Sequence, residues 1–309
     1  MQKISIIIPV YYNEKNLLIT YERLKVSVLD KLQQYELIFV DDGSGDQSWL
    51  VMQELQKKDV KIKLIKLSRN FGSITAQLAG LNYATGDCAT VIAADLQDPP
   101  EIILELIANW KNGAKVCLAV RTDREESFLQ KAMSNTFYKI MQKIALKNMP
   151  TGGFDFFLID RCVIDILKNT KEKNSSIVGQ ILWCGFKTEK LYYVRKAREI
   201  GKSRWTLGKK VKYFIDSILA FSYTPIRITI TIGILISLLS FFLILILVIE
   251  RIFMHIPIQG WTSIICLILL TSGVQFSILG MMGEYLWRTL DESRKRPVYI
   301  VDEYIASDE

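Results

Sequence analysis

The chain reads as an α/β protein: a head domain on a mostly parallel sheet, followed by a two-helix transmembrane hairpin. One observation predicts the head. Apolar, β-branched runs alternate with helical periodicity through the first 200 residues, which places helices on both faces of a parallel sheet. Another predicts the hairpin. Residues 228–249 and 262–282 are 22 and 21 positions without a charge. At about 1.5 Å rise per residue, each spans roughly 30 Å, the thickness of a bilayer core.

Strands are expected at 4–8, 36–41, 62–67, 89–94 and 115–120, with helices over 14–31, 46–57, 73–84 and 101–111. A further helical stretch, 124–147, precedes Thr151, Gly152 and Gly153, and strand-like segments follow at 154–160 and 187–194. Residues 1–200 form the head on this reading, and 201–225 a basic juxtamembrane segment. In that segment Leu207, Val211, Phe214, Ile215, Ile218 and Leu219 recur near helical spacing, with Lys209, Lys210 and Lys212 on other faces. The pattern suits an interfacial amphipathic helix, and equally a helix packed on the head. The spans occupy 226–288, and 289–309 is a tail.

Charge orients the chain. Nine Lys/Arg lie between Arg195 and Arg227 against Glu199 and Asp216, and Arg288, Arg294, Lys295 and Arg296 follow the second span. The loop Glu250–Gly260 holds only Arg251. Basic residues of short loops stay in the cytoplasm, so the head and both termini are expected there, in an integral membrane protein. The net charge of +7 gathers near the membrane, which fits anionic headgroups or a phosphorylated lipid rather than nucleic acid. Lys3 to Pro9 open directly into a strand, so no signal peptide is expected. The five cysteines lack CxxC spacing and read as reduced packing residues, and the lone His255 falls in the external loop.

Four loops lie where strands end, and open α/β sheets bind ligands beyond the carboxyl ends of their strands. In residues 89–100 a buried strand ends in Asp95, Gln97 and Asp98, and Pro99 and Pro100 forbid its continuation. A carboxylate with an amide oxygen two residues on suits a hard divalent cation that also holds substrate phosphates. The plain alternative makes Asp98 the N-cap of the next helix. The other loops are Pro9 to Glu14, the acidic pair Asp41 and Asp42 before Gly43 and Ser44, and the basic turn Ser68 to Gly72.

The ordered set Ile-Pro-Val-Tyr-Tyr-Asn-Glu, Val-Asp-Asp-Gly-Ser, Ser-Arg-Asn-Phe-Gly, Ala-Asp-Leu-Gln-Asp-Pro-Pro and Gly-Lys-Ser-Arg-Trp resembles family 2 glycosyltransferases with a GT-A fold. Within them it is most similar to the polyprenyl-phosphate branch: dolichol-phosphate mannose synthases and, through the C-terminal hairpin, bactoprenol (undecaprenyl-phosphate) glucosyltransferases. The likeness covers nearly the whole chain. It implies inverting, metal-dependent transfer of a sugar, foremost glucose from UDP-glucose, onto a polyprenyl phosphate at the cytoplasmic membrane face. A GDP-mannose enzyme, or a degenerate scaffold of the same fold, is the alternative. A processive polysaccharide synthase ranks last, because two spans are too few to line a polymer channel and Gln-x-x-Arg-Trp is absent.

Position by position, the resemblance implies that Pro9, Tyr11, Glu14, Arg69 and one of Asp41 and Asp42 line the nucleotide-sugar pocket. Asp95 and Gln97 would hold Mg²⁺ or Mn²⁺ with the donor diphosphate. Asp155 would orient the acceptor or act as a weak base, although an Asp there also suits a turn. Arg121, Arg124, Lys131 and Ser134 would meet phosphates, and Arg195, Arg198, Ser203 and Arg204 would close over the site. Two positions depart from the family pattern: Ala93 stands where an acidic residue is common, and Phe157 where many relatives carry Arg. A lipid phosphate is already an oxyanion at neutral pH, so no strong general base is required. Polar and small residues along 262–283, Gly273 and Gly280 among them, invite helix packing into a homo-oligomer, and a flippase is the downstream partner such a product implies.

Overall fold

The computed structural model describes residues 2–95, 97–123, 136, 138–150, 153–170, 172, 175–195, 207–254 and 260–306. The apolar runs become β1 (Ile4–Val10), β2 (Tyr35–Asp41), β3 (Ile62–Leu67), β4 (Cys88–Val91) and β5 (Val116–Asp123). Between them lie α1 (Glu14–Ser27), α2 (Ser48–Lys58), α3 (Ser73–Tyr83) and α4 (Ile102–Lys111). Then follow β6 (Phe156–Asp160), α5 (Arg161–Asn169), α6 (Ile177–Trp183), β7 (Thr188–Val194) and α7 (Leu207–Phe221). Two long helices, α8 (Thr224–Met254) and α9 (Trp261–Ser293), precede a last strand, β8 (Val301–Ile305).

The strands make one sheet in the order β7-β5-β6-β4-β1-β2-β3-β8. β4, β1, β2 and β3 run parallel, as do β5 and β7, while β6 is antiparallel to β4 and β5 and β8 to β3. The carboxyl ends of β1 to β5 and β7, with the amino ends of β6 and β8, therefore share one edge. The central strands are covered on both faces and read as unbroken apolar runs, Ile6, Ile7 and Ile8 being fully buried. One core layer sets Leu17, Leu24, Met52, Ile103 and Leu106 of α1, α2 and α4 against the sheet. The other sets Ala79, Leu81, Val163, Ile164 and Ile181 of α3, α5 and α6 against it. Gly80 lets α3 approach, since a Cβ there would stand 2.4 Å from Cγ2 of Ile7.

Several elements differ from expectation. β4 stops at Val91, three residues short of the expected end. The Ile92 N–H still bonds the Ile7 carbonyl at 3.0 Å, but the Ala94 carbonyl has turned to the Thr20 hydroxyl, 3.3 Å away. α5 and α6 were not expected. Each begins on a capping side chain, the Asp160 carboxylate accepting from the Cys162 N–H and the Ser176 hydroxyl from the Gly179 N–H. The tail, for which no strand was expected, supplies β8, whose Leu67–Val301 register is offset by a bulge. Of the stretch 124–147, residues 136 and 138–144 are helical, and much of the rest lies outside the described residues.

Helix α7 packs on the head, as one reading of its pattern expected. Ile218 and Phe221 pack on the core, and the Tyr213 and Ser176 hydroxyls lie 2.6 Å apart. Val211 and Ile215, one turn apart, remain exposed. The chain divides into a head, Met1–Phe221 with Pro297–Glu309, and a helical unit, Ser222–Arg296. Among the described residues one helical stretch, Thr224–Leu243, is both long and apolar enough to cross a membrane, so the expected pair of spans is seen as one such stretch. In α9 the hydroxyls of Thr271 and Ser277 bond carbonyls one turn back, which satisfies them within the helix.

Candidate active site

The loops at the common sheet edge fall into two halves. On the β1–β2–β3 side, burial removes Asp41 and Asp42 from water, and only local donors can compensate. Asp42 spends both oxygens on backbone, accepting from the Phe71 N–H at 2.7 Å and the Gly72 N–H at 2.9 Å. Burial still pushes its carboxyl up to about 6, against those two bonds. Asp41, fully buried, accepts the Ser44 N–H on one oxygen, and its Oδ2 has no partner. Burial raises its pKa as well. Of the acidic pair, then, Asp42 builds the neighbouring loop and Asp41 is left with one unpartnered oxygen.

Gly43 makes this approach possible: its φ is +68°, and a Cβ would lie 2.5 Å from the Arg69 carbonyl carbon. The β1–α1 turn is stitched to the same loop. Tyr12, at φ 55°, donates its N–H to the Ser44 hydroxyl and Asn13 donates to Ser48, both at 3.0 Å. Glu14 accepts from the Gln47 N–H at 3.0 Å, so this expected pocket residue has a visible role as a lock between loops. Pro9 lies inside β1 opposite Val40, Tyr11 packs edge-on to Tyr12, and the Arg69 guanidinium lies 4.1 Å over the Phe71 ring.

The other half gathers around Asp95. Its Oδ1 accepts from the Gln97 N–H at 3.3 Å, and an Arg195 nitrogen stands 4.0 Å from its Oδ2. Asp98 is not a helix cap. The N-cap position of α4 is Glu101, and Asp98 instead receives the Tyr193 hydroxyl at 2.6 Å and Arg195 Nη2 at 3.4 Å. Burial raises the Asp98 pKa, while Arg195 and Tyr193 oppose the rise. Next along the edge, buried Arg121 pairs with Asp155, whose side chain is 59% exposed. Arg121 Nε has no partner. Tyr213 of α7 is electrostatically coupled to Asp155, which brings α7 to this half.

These motifs are matched by relatives. A family model described as glycosyl transferase family 2 matches residues 5–167. The chain belongs to glycosyl transferase family 2. This glycosyltransferase is 42% identical over 298 residues to the uncharacterized glycosyltransferase YkcC of Bacillus subtilis (strain 168), covering 96% of this chain and 92% of that protein. It is 33% identical over 300 residues to the bactoprenol glucosyl transferase of Shigella phage SfV, covering 97% of this chain and 98% of that one. Among solved structures, mannosyltransferase PcManGT from Pyrobaculum calidifontis, in complex with GDP-Man and Mn²⁺, aligns with a TM-score of 0.47 at 13% identity, over 65% of this chain and 58% of that chain.

In the glycosyltransferase, then, one sheet edge carries Tyr11, Glu14, Asp41, Asp42, Arg69, Asp95, Gln97, Arg121, Asp155 and Arg195. Arg124, Lys131, Ser134, Arg198, Ser203 and Arg204 lie outside the described residues. Phe157 is wholly buried between β4 and β5, so the guanidinium beside Asp155 comes from Arg121 instead. Sequence reasoning missed Tyr193 and the partners of Asp98. The alternation Leu191, Tyr193 toward the core and Tyr192, Val194 outward was the available signal. Among the described residues no three His, Cys, Asp or Glu side chains gather to hold a metal. One carboxylate and one amide, with phosphate and water completing the shell, is a donor set that fits Mg²⁺ or Mn²⁺.

Proposed function

We propose that this glycosyltransferase moves a sugar, foremost glucose from UDP-glucose, onto the phosphate of a polyprenyl lipid at the cytoplasmic face of a membrane. The observation that carries the reading is the meeting, on one sheet edge, of a half ending in the unpartnered Asp41 oxygen and an acidic half holding Asp95, Gln97 and Asp155. Asp41 Oδ2 suits a ring N–H such as that of uracil. Asp95 and Gln97 would hold Mg²⁺ or Mn²⁺, which supplies neutralisation of the charge building on the leaving diphosphate. With Ala93 offering no ligand, donor phosphate oxygens and water complete the set.

On the acceptor side an oxygen of the lipid phosphate attacks the anomeric carbon. The bond from that carbon to the donor's β-phosphate oxygen breaks, its electron pair leaves with UDP, and the configuration inverts. Asp155, tethered by Arg121, orients the acceptor, and Arg121 sets a buried positive charge beside an anionic nucleophile. Tyr213 links this region to α7, whose exposed Val211 and Ile215 suit a bilayer interface. The similarity to proteins named bactoprenol glucosyl transferase supports the lipid acceptor.

The two-span topology is part of the same proposal. The chain leaves the head at Phe221 and rejoins it at Pro297, so crossings by the intervening unit would be even in number. Thr224–Leu243 supplies one crossing, and the uncharged stretch 262–282 of α9 is the return. The donor reading is tested by calorimetry of UDP, GDP and their sugars with Mn²⁺. UDP binds, and Asp41→Asn weakens it about ten-fold, the value of a hydrogen bond to a charged acceptor. Equal binding of UDP by wild type and Asp41→Asn contradicts the assignment of the base.

A further inference from the structure

Asp95, at the metal-binding end of the site, and Asp155, at its acceptor end, stand on different segments with no shared loop. What registers them is a side chain of neither. The Tyr193 hydroxyl donates to Asp98 Oδ1 at 2.6 Å, three residues beyond Asp95. Arg121, whose guanidinium holds Asp155, hydrogen-bonds the same hydroxyl. The Tyr193 ring stands edge-to-face on Phe156, adjacent to Asp155, with centroids 6.3 Å apart. Tyr193, Asp98 and Arg121 are 7%, 3% and 7% exposed, so water cannot replace any partner that is lost.

We propose that Tyr193 is a positioning residue, keying the Asp95–Asp98 loop to the Arg121–Asp155 pair and so setting the span across which donor and acceptor meet. The inference rests on the functional reading above. Its physical content is geometric. The loop after Val91 has left the sheet, and on the β7 side it is tied down through Asp98 to Tyr193 and Arg195. Without the Tyr193 hydroxyl, Arg195 alone restrains Asp98 there, and Arg121 loses an acceptor other than Asp155. Asp95 and Asp155 then drift relative to each other, while the Asp41 half of the pocket is untouched.

Misplacement of reacting groups by about 1 Å costs up to about 100-fold in rate. Tyr193→Phe keeps the ring on Phe156 and removes only the oxygen. In full-length protein with UDP-glucose, undecaprenyl phosphate and Mn²⁺, it lowers kcat about ten-fold or more and leaves the donor KM within about three-fold. Asp98→Asn reads the same link from its other end, and the double variant falls no further than the worse single one, as members of one unit do. Tyr192→Phe, on the outward face of the same strand, retains wild-type kcat.

The inference is overturned if Tyr193→Phe retains wild-type kcat. It is also overturned if the variant only melts earlier, with kcat per folded molecule unchanged, or if the two losses simply add. Should Tyr193→Phe not fold, Asp98→Asn decides by the same kcat-against-KM split. Wild-type protein that turns over no nucleotide sugar overturns the functional reading instead, and this inference with it.

Discussion

Asp41 and Asp42 are neighbours, both buried, and chemically unlike. The difference is which backbone N–H groups reach them. A second buried carboxylate, at the opposite end of the sheet, shows what full satisfaction does. Glu36 receives the Ser5 hydroxyl at 2.6 Å, the Thr85 N–H at 2.6 Å and Lys63 Nζ at 2.8 Å. Burial alone would raise its pKa, yet Lys63, Ser5 and Thr85 together hold it at about 2, below an ordinary value of 4.5. A lowered carboxylate pKa stabilises the fold fully above pH 4.5 and loses that contribution as pH falls toward 2. The amount is about 3 kcal/mol. Glu36→Gln therefore melts earlier than wild type at pH 7, and its melting temperature changes less between pH 4.5 and 2. Parallel melting curves across that window contradict this account.

Among the elements, the parallel core and the β7 edge were legible and the β8 edge was not. β1, β2 and β3 are buried on both faces, so their apolar runs stand out without any knowledge of partners. β8 carries Asp302 and Glu303 among five residues and is a strand only because β3, more than two hundred positions earlier, offers an open edge. The loop motifs were likewise readable at Asp41, Asp42, Asp95 and Gln97, because a strand end is a local event. The Asp98–Tyr193 bond joins residues 95 apart, and no local signal marks it.

The late strand also braces the site. The Ser68 N–H bonds the Ile300 carbonyl at 3.0 Å, Asn82 donates to the Tyr299 hydroxyl at 2.7 Å, and the Tyr83 and Tyr304 rings stack at 4.8 Å. Deleting residues 297–309 should lower the melting temperature by about 3 °C or more, as loss of about 1 kcal/mol does in a domain of about 150–250 residues. It should also raise the donor KM, because Ser68 opens the loop that carries Arg69. An unchanged melting temperature and KM would show β8 to be dispensable.

For the whole molecule, the proposed two-span arrangement predicts an orientation that labelling can read. Under that arrangement an epitope tag inserted within 255–259 is expected to be reached by antibody on intact cells, and a tag after Glu309 only after permeabilisation. A C-terminal tag exposed on intact cells would sink the two-span arrangement. The basic residues flanking the helical unit would favour the same orientation.

The most direct test of the central claim is sugar transfer itself: purified full-length protein, labelled UDP-glucose, undecaprenyl phosphate and Mn²⁺, with product extracted into organic solvent. Wild type is predicted to form a labelled lipid, and Asp95→Asn to form it about 100-fold more slowly, the scale of a lost charge-stabilising group. No lipid product with any common nucleotide sugar, or an undiminished rate in Asp95→Asn, would contradict the account.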